Sequence, residues 1–188
     1  MSLFYDKDGK NRLRTKRFDY LNDFVKNDSG TYVYNGSLYR LQGDKKDRSR
    51  VNIILKLTCL LSLAFFIVSG CIDAGALWSA WYVVLLFGLE AISIFVMIWK
   101  SISFLFEKEP LKEYIYKKTV PWFRPCAFTL ALVSLLSVIM TLIYLAVHGS
   151  GDRLTECIVY MLLKLFEGAV GAGFFILFKK YIWKDEAA

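Results

Sequence analysis

Residues 77–99 read LWSAWYVVLLFGLEAISIFVMIW, and Glu90 is the single charged side chain among them. A helix needs about 20 mostly apolar residues to cross a hydrocarbon core of roughly 30 Å. Three other blocks, at about 51–70, 127–147 and 158–178, also meet this requirement. The sequence therefore predicts an all-α integral membrane protein with four transmembrane helices.

The overall composition agrees with a lipid environment. Of the 188 residues, 56% are hydrophobic and 22% are charged, and the mean hydropathy is +0.40. Soluble domains have about half of their residues apolar, or fewer. The net charge of +7 is explained by Lys and Arg that flank the spans on one side, so we expect no nucleic-acid partner. Anionic lipid headgroups at the cytoplasmic face are the expected partners of these basic residues.

The basic residues also predict the orientation of the chain. Lys and Arg are frequent before the first span, between the second and third spans, and after the fourth. In the connections 71–76 and 148–156, by contrast, Arg153 is the only Lys or Arg. The positive-inside rule then places the N- and C-termini in the cytoplasm. The predicted location is a plasma membrane or a bacterial inner membrane.

The sequence divides into a basic cytoplasmic segment, residues 1–50, and a transmembrane domain, residues 51–188. In the first part, we expect a helix over 16–26 and a β-hairpin over 31–40, because the pair Asn35-Gly36 favours a type I′ turn. In the second part, the connection 101–120 mixes large apolar residues with Lys and Glu. This mixture predicts an amphipathic segment on the cytoplasmic face, which either lies on the lipid surface or docks a partner.

Four ionisable residues within the predicted spans are the candidate site residues. They are Lys56, Glu90, Lys164 and Glu167. A charge in hydrocarbon costs at least about 2.5–3.5 kcal/mol on insertion scales, so each indicates function unless its charge is otherwise relieved. Lys164 and Glu167 are three residues apart and can pair on one helix. Glu90 and Glu167 lie at similar depths, which predicts one polar cluster with Lys164 or Lys56; alternatively, Lys56 reaches the headgroups by itself.

The fourth span contains a run of small residues, GAVGAG at 168–173. Gly168, Gly171, Ala172 and Gly173 are the candidates for close helix packing, since small residues four apart let helix backbones approach. The alternative is that this stretch lines a pore or unwinds to coordinate an ion.

No motif in the sequence indicates a cofactor, a metal or an enzymatic reaction. Four cysteines and one histidine fit no metal-ligand spacing, and we predict none of the three. Cys71 and Cys157 both fall at the outer ends of spans, so a disulfide between them is geometrically possible.

The leading hypothesis is a transport-related unit, channel-like or carrier-like, that uses the buried carboxylates of the second and fourth spans. We expect a homo-oligomer or a membrane-protein partner, because four helices enclose little cavity. The alternative is a non-enzymatic accessory or scaffold subunit of a larger membrane complex, whose membrane charges pair with helices of the partner.

Overall fold

The computed structural model describes residues 24–26, 31–34, 36–42, 45–73, 75–107, 110–149, 153–181 and 183–186. Four long helices dominate it: α1 (Lys45–Cys71), α2 (Trp81–Leu105), α3 (Glu113–His148) and α4 (Leu154–Lys179). Each is long and apolar enough to cross a membrane. The prediction of four helices that are long and apolar enough to cross a membrane is therefore confirmed.

Five short strands accompany the helices in the described part of the chain. They are β1 (Phe24–Lys26), β2 (Tyr32–Tyr34), β3 (Leu38–Leu41), β4 (Leu111–Lys112) and β5 (Trp183–Glu186), and a 3-10 helix, Gly75–Ser79, precedes α2. Strand β1 pairs antiparallel with β2, while β3 lies between β4 and β5 in a three-stranded antiparallel sheet. Because β3 precedes α1, β4 joins α2 to α3 and β5 follows α4, these segments meet at one end of the bundle. We call this the sheet end.

The predicted hairpin over residues 31–40 is wrong in its pairing. Strands do lie on both sides of the predicted turn, and Asn35 itself lies outside the described residues. However, β2 pairs with β1, and both edges of β3 are occupied by β4 and β5. A strand has only two edges, so none is left for β2. Of the helix predicted over residues 16–26, residues 24–26 form β1 and the remainder lies outside the described part.

The predicted surface connection, residues 101–120, is divided among three elements. Residues 101–105 complete α2, residues 111–112 form β4, and residues 113–120 begin α3. Helix α3 has 36 residues and continues through Pro121 and Pro125, although each proline removes a backbone hydrogen bond. At 1.5 Å per residue it is about 54 Å long, so its first turns extend beyond a hydrocarbon core of about 30 Å.

The helices pack as a ring. Helix α3 packs against α2 and α4, and α1 packs against α4 and α2. Helices α2 and α4 are therefore diagonal across the bundle. At the sheet end an apolar cluster joins strands to helices, and it contains Leu41, Leu55, Phe104, Leu111, Phe123, Phe174 and Phe178. The guanidinium carbon of Arg48 lies 3.9 Å from the ring centre of Phe104 in the same region.

The other end of the bundle is closed by contacts between its two connections. Arg153 donates a hydrogen bond of 2.8 Å to the backbone carbonyl of Asp73 and also contacts its carboxylate. Hydrogen bonding and attraction to this carboxylate hold the pKa of Arg153 above its usual value. Trp78 donates from its indole nitrogen to the carbonyl of Ile72, at 3.0 Å. Cys71 and Cys157, the possible disulfide pair, are both free thiols.

The orientation is testable with a native cysteine. Cys71 is exposed at the end of α1, opposite the sheet end, whereas Cys157 is buried. A membrane-impermeant maleimide added to intact cells should label wild-type protein but not a Cys71→Ser variant, because the predicted topology places Cys71 outside. Labelling that occurs only in inverted membrane vesicles would show that the chain has the opposite orientation.

Candidate functional site

Three of the four predicted intramembrane residues meet inside the bundle. Glu90 of α2 and Lys164 and Glu167 of α4 are all completely buried. The ammonium of Lys164 contacts Oε2 of Glu90 and lies 2.9 Å from Oε2 of Glu167. We call these three residues the charged cluster. It links the two helices that are diagonal across the ring.

The charged cluster lies near the middle of the apolar helices. Glu167 is 13 residues after Leu154 and 12 before Lys179, which is roughly 18–20 Å from each end of α4. Glu90 is nine residues after Trp81, or about 14 Å from that end of α2. Neither carboxyl is close enough to a helix end to reach water by extending its side chain. The cluster must therefore balance its charge internally or through something that enters the bundle.

Lys56 lies outside the charged cluster. On α1, Leu55 and Thr58 are buried while Lys56 is exposed on the outer surface of the helix. Successive residues on a helix are rotated by about 100°, so a residue next to the inward-facing Leu55 points elsewhere. Lys56 is five residues after Val51, which lies near the sheet end. This position fits a lysine whose ammonium extends toward the headgroups.

Helix α3 adds hydroxyl groups that the sequence analysis did not select. Oγ of Ser137 lies 3.4 Å from Oε1 of Glu90 and 3.0 Å from the carbonyl oxygen of Val133. Ser134, Ser137 and Thr141 are all completely buried. The signal in the sequence was their spacing of three and then four, which places three polar side chains on one face of an otherwise apolar helix.

Aromatic rings surround the lysine ammonium. Nζ of Lys164 lies 5.0 Å from the ring centre of Phe87, 5.5 Å from that of Phe66 and 5.7 Å from that of Tyr160. Ring faces attract cations at such distances. Phe66 and Phe87 are themselves stacked, with centres 4.2 Å apart. Helices α1, α2 and α4 thus each supply a ring to the lysine.

The charges of the cluster do not cancel when all three residues are ionised. Two carboxylates and one ammonium leave a net charge of −1. In addition, Oε1 of Glu167 is buried and has no hydrogen-bond partner in the described structure. An uncompensated charge away from water is very costly. A single proton bound by either carboxyl would make the cluster neutral.

The glycines of α4 hold that helix close to α3. A Cβ atom built on Gly171 would lie 3.0 Å from the carbonyl oxygen of Ala127 and 3.1 Å from the backbone nitrogen of Ala131. One on Gly168 would lie 3.4 Å from Cβ of Ser134. Thus Gly168 and Gly171, three residues apart, make the close approach.

The other candidates in this run of small residues have looser surroundings. A Cβ on Gly173 would meet nothing within 4 Å, and Ala172 is half-buried. Helix α4 is continuous through residues 168–173, so the backbone groups of this stretch are engaged in the helix. Gly168 and Gly171 therefore set the distance between α4 and α3.

No family model, curated protein or solved structure matches this chain. The class defined by its fold is that of helical proteins with four apolar helices able to cross a membrane. The charged cluster is the feature from which a function can be argued.

Proposed function

We propose that this protein is a transport-related membrane unit in which the charged cluster takes up and releases one proton. The observation that carries the proposal is the unequal number of charges at a completely buried site, two carboxyls for one ammonium. The neutral, proton-loaded form suits an interior that excludes water. The proton-free form carries net charge and needs water, so uptake and release require a conformation in which the cluster is hydrated.

The hydroxyl of Ser137 can serve Glu90 in either protonation state. A hydroxyl has one proton, and the shorter contact of Ser137 is with the carbonyl of Val133, at 3.0 Å. The hydroxyl can donate to an ionised Oε1 of Glu90, which is 3.4 Å away; alternatively, it can donate to Val133 and accept a hydrogen bond from a protonated Oε1. Because Glu90 and Glu167 share one ammonium, their protonation is coupled and the exchangeable proton belongs to the pair.

A purely structural ion pair would not need the second carboxyl. One Lys and one Glu already form a neutral buried pair, and an additional carboxylate adds desolvation cost without a second cation. The presence of both Glu90 and Glu167 on Lys164 therefore favours a group that changes charge during function over a static connection between helices.

Proton flux tests this proposal. Liposomes that contain the wild-type protein should lose an imposed pH gradient faster than empty liposomes, as reported by a pH-sensitive dye inside them. Glu90→Gln and Glu167→Gln should each reduce the rate to that of empty liposomes. Each substitution leaves a neutral Lys-Glu pair that has no proton to exchange, so both variants should fold.

The matched control is Glu113→Gln, because Glu113 pairs with Lys117 on an exposed part of α3. Such surface pairs contribute only about 0.3–0.5 kcal/mol, and this variant should retain wild-type flux. The proposal fails if folded Glu90→Gln and Glu167→Gln proteins conduct protons as fast as the wild type. It also fails if the wild type conducts no faster than empty liposomes.

A second candidate function, an accessory subunit, is favoured by the exposed side chains of β2. Tyr32 is 70% exposed and Val33 is 50% exposed, and neither belongs to a membrane helix. A partner that covers them should be recovered in stoichiometric amounts after purification in mild detergent. It should be lost with the double substitution Tyr32→Ser and Val33→Ser; its retention would contradict docking at β2.

A further inference from the structure

A cavity of about 390 Å³ lies near the sheet end, where α3, α4 and β5 meet. The charged and aromatic residues that line it are Tyr116, Arg124, Phe178, Lys179, Tyr181 and Trp183. It is distinct from the charged cluster, which is enclosed at the centre of the bundle.

The walls of the cavity carry two cations that no described carboxylate neutralises. Neither Arg124 nor Lys179 is within ion-pair distance of an acidic side chain in the described part of the chain. The guanidinium of Arg124 lies 5.1 Å from the ring centre of Phe175, and that contact leaves its charge unneutralised. An anion in the cavity would gain from both cations.

Trp183 also lines the cavity, but its indole nitrogen is not available to a ligand there. Its indole nitrogen is buried and has no hydrogen-bond partner among the described residues. The indole N–H can only donate, so it stays unpaired among the described residues. Because this nitrogen has no solvent-accessible surface, it does not face the open cavity, and the two cations alone would hold the anion.

The depth of the cavity indicates where such a ligand would come from. Exposed apolar side chains run along α3 from Phe128 to Val147 and along α4 as far as Leu177. The stretch on α3 is roughly 28 Å long, which matches the hydrocarbon thickness of about 30 Å. Arg124 lies one turn before Phe128, and Lys179 lies two residues after Leu177. Both cations are therefore at the level of lipid headgroups.

We propose that this cavity binds the phosphate group of an anionic membrane lipid. Arg124 and Lys179 provide the countercharges, and the acyl chains follow the exposed apolar faces of α3 and α4. A soluble phosphate has the same headgroup chemistry, but the location at the edge of the hydrocarbon favours a lipid. This inference is independent of the proposed proton transport.

Native mass spectrometry of the purified full chain, with added phosphatidylglycerol or phosphatidylcholine, tests the proposal. The wild type should retain phosphatidylglycerol in preference to phosphatidylcholine. The double variant Arg124→Gln/Lys179→Gln should bind phosphatidylglycerol roughly 30-fold more weakly, from a contribution of about 1 kcal/mol per basic residue near the membrane surface.

The matched control is Lys100→Gln/Lys180→Gln. It removes the same charge from the same region, since Lys180 follows Lys179 and Lys100 lies over the ring of Trp122, but neither residue lines the cavity. This control should retain phosphatidylglycerol nearly as well as the wild type. Equal weakening in both double variants would overturn the proposal in favour of diffuse attraction. Displacement of the lipid by inorganic phosphate would overturn the lipid assignment and give the site to a soluble ligand.

Discussion

Replacement of Lys164 by methionine should lower the free energy of unfolding by about 3–5 kcal/mol, the usual cost of removing one partner from a buried ion pair. Lys164 contacts both Glu90 and Glu167, and all three are inaccessible to solvent. Methionine preserves the apolar contacts of the side chain with the surrounding rings but removes the only cation of the charged cluster. The measurement is denaturant unfolding in detergent micelles, followed by circular dichroism.

A triple variant separates lost charge compensation from lost packing. Lys164→Met combined with Glu90→Gln and Glu167→Gln has no charge in the cluster and side chains of similar size, so it should recover most of the stability lost by Lys164→Met alone. Proton flux should nevertheless stay at the level of empty liposomes. If Lys164→Met unfolds at the same denaturant concentration as the wild type, Lys164 does not compensate the two carboxyls.

Substitution of Gly171 by leucine should cost about 1–3 kcal/mol or more, as overpacking of a tight interface does. The first added carbon would already lie 3.0 Å from the carbonyl oxygen of Ala127 and 3.1 Å from the backbone nitrogen of Ala131. These are backbone atoms, which cannot rotate aside as a side chain can. Helix α4 would have to move away from α3, and the unfolding free energy measured as above should decrease.

The same substitution two residues later provides the control. Gly173→Leu changes helix propensity and side-chain size in the same way on the same helix, but a Cβ at Gly173 meets nothing within 4 Å. It should leave stability close to that of the wild type. Equal losses of unfolding free energy in Gly171→Leu and Gly173→Leu would show that the close approach of α3 and α4 at Gly171 does not cause the destabilisation. A displaced α4 should also reduce proton flux, because it carries Lys164 and Glu167.

The helices could be predicted from sequence because lipid imposes a simple requirement on length and polarity, which residues 77–99 meet within a single window. The strands could not be paired in this way. Strand β3 binds β5, which lies more than 140 residues later in the chain. Pairing at that separation depends on the helices that bring the two ends together, whereas Asn35-Gly36 reports only a local preference.

The charged cluster was partly predictable for a related reason. Lys164 and Glu167 are three residues apart and therefore neighbours on one helix. Glu90 is a charged residue deep in another span, so it also needs a partner inside the bundle. Lys56 lies on the outer surface of α1 and not in the cluster. It needs no partner there, because a lysine near a helix end can reach the headgroups. The rings of Phe66 and Phe87 could not be predicted as neighbours of Lys164, because phenylalanine is common in apolar spans. Only the packing of α1 and α2 around α4 brings the two rings close to its ammonium.

Infrared spectroscopy of the reconstituted protein at neutral pH tests the central claim most directly, since it detects the carbonyl band of a protonated carboxyl. Exposed carboxyls are ionised at that pH and do not contribute to this band. We expect the band in the wild type and its disappearance in both Glu90→Gln and Glu167→Gln, because each variant leaves one ionised carboxylate on Lys164. Absence of the band in the wild type, or its persistence in both variants, would contradict an exchangeable proton in the charged cluster.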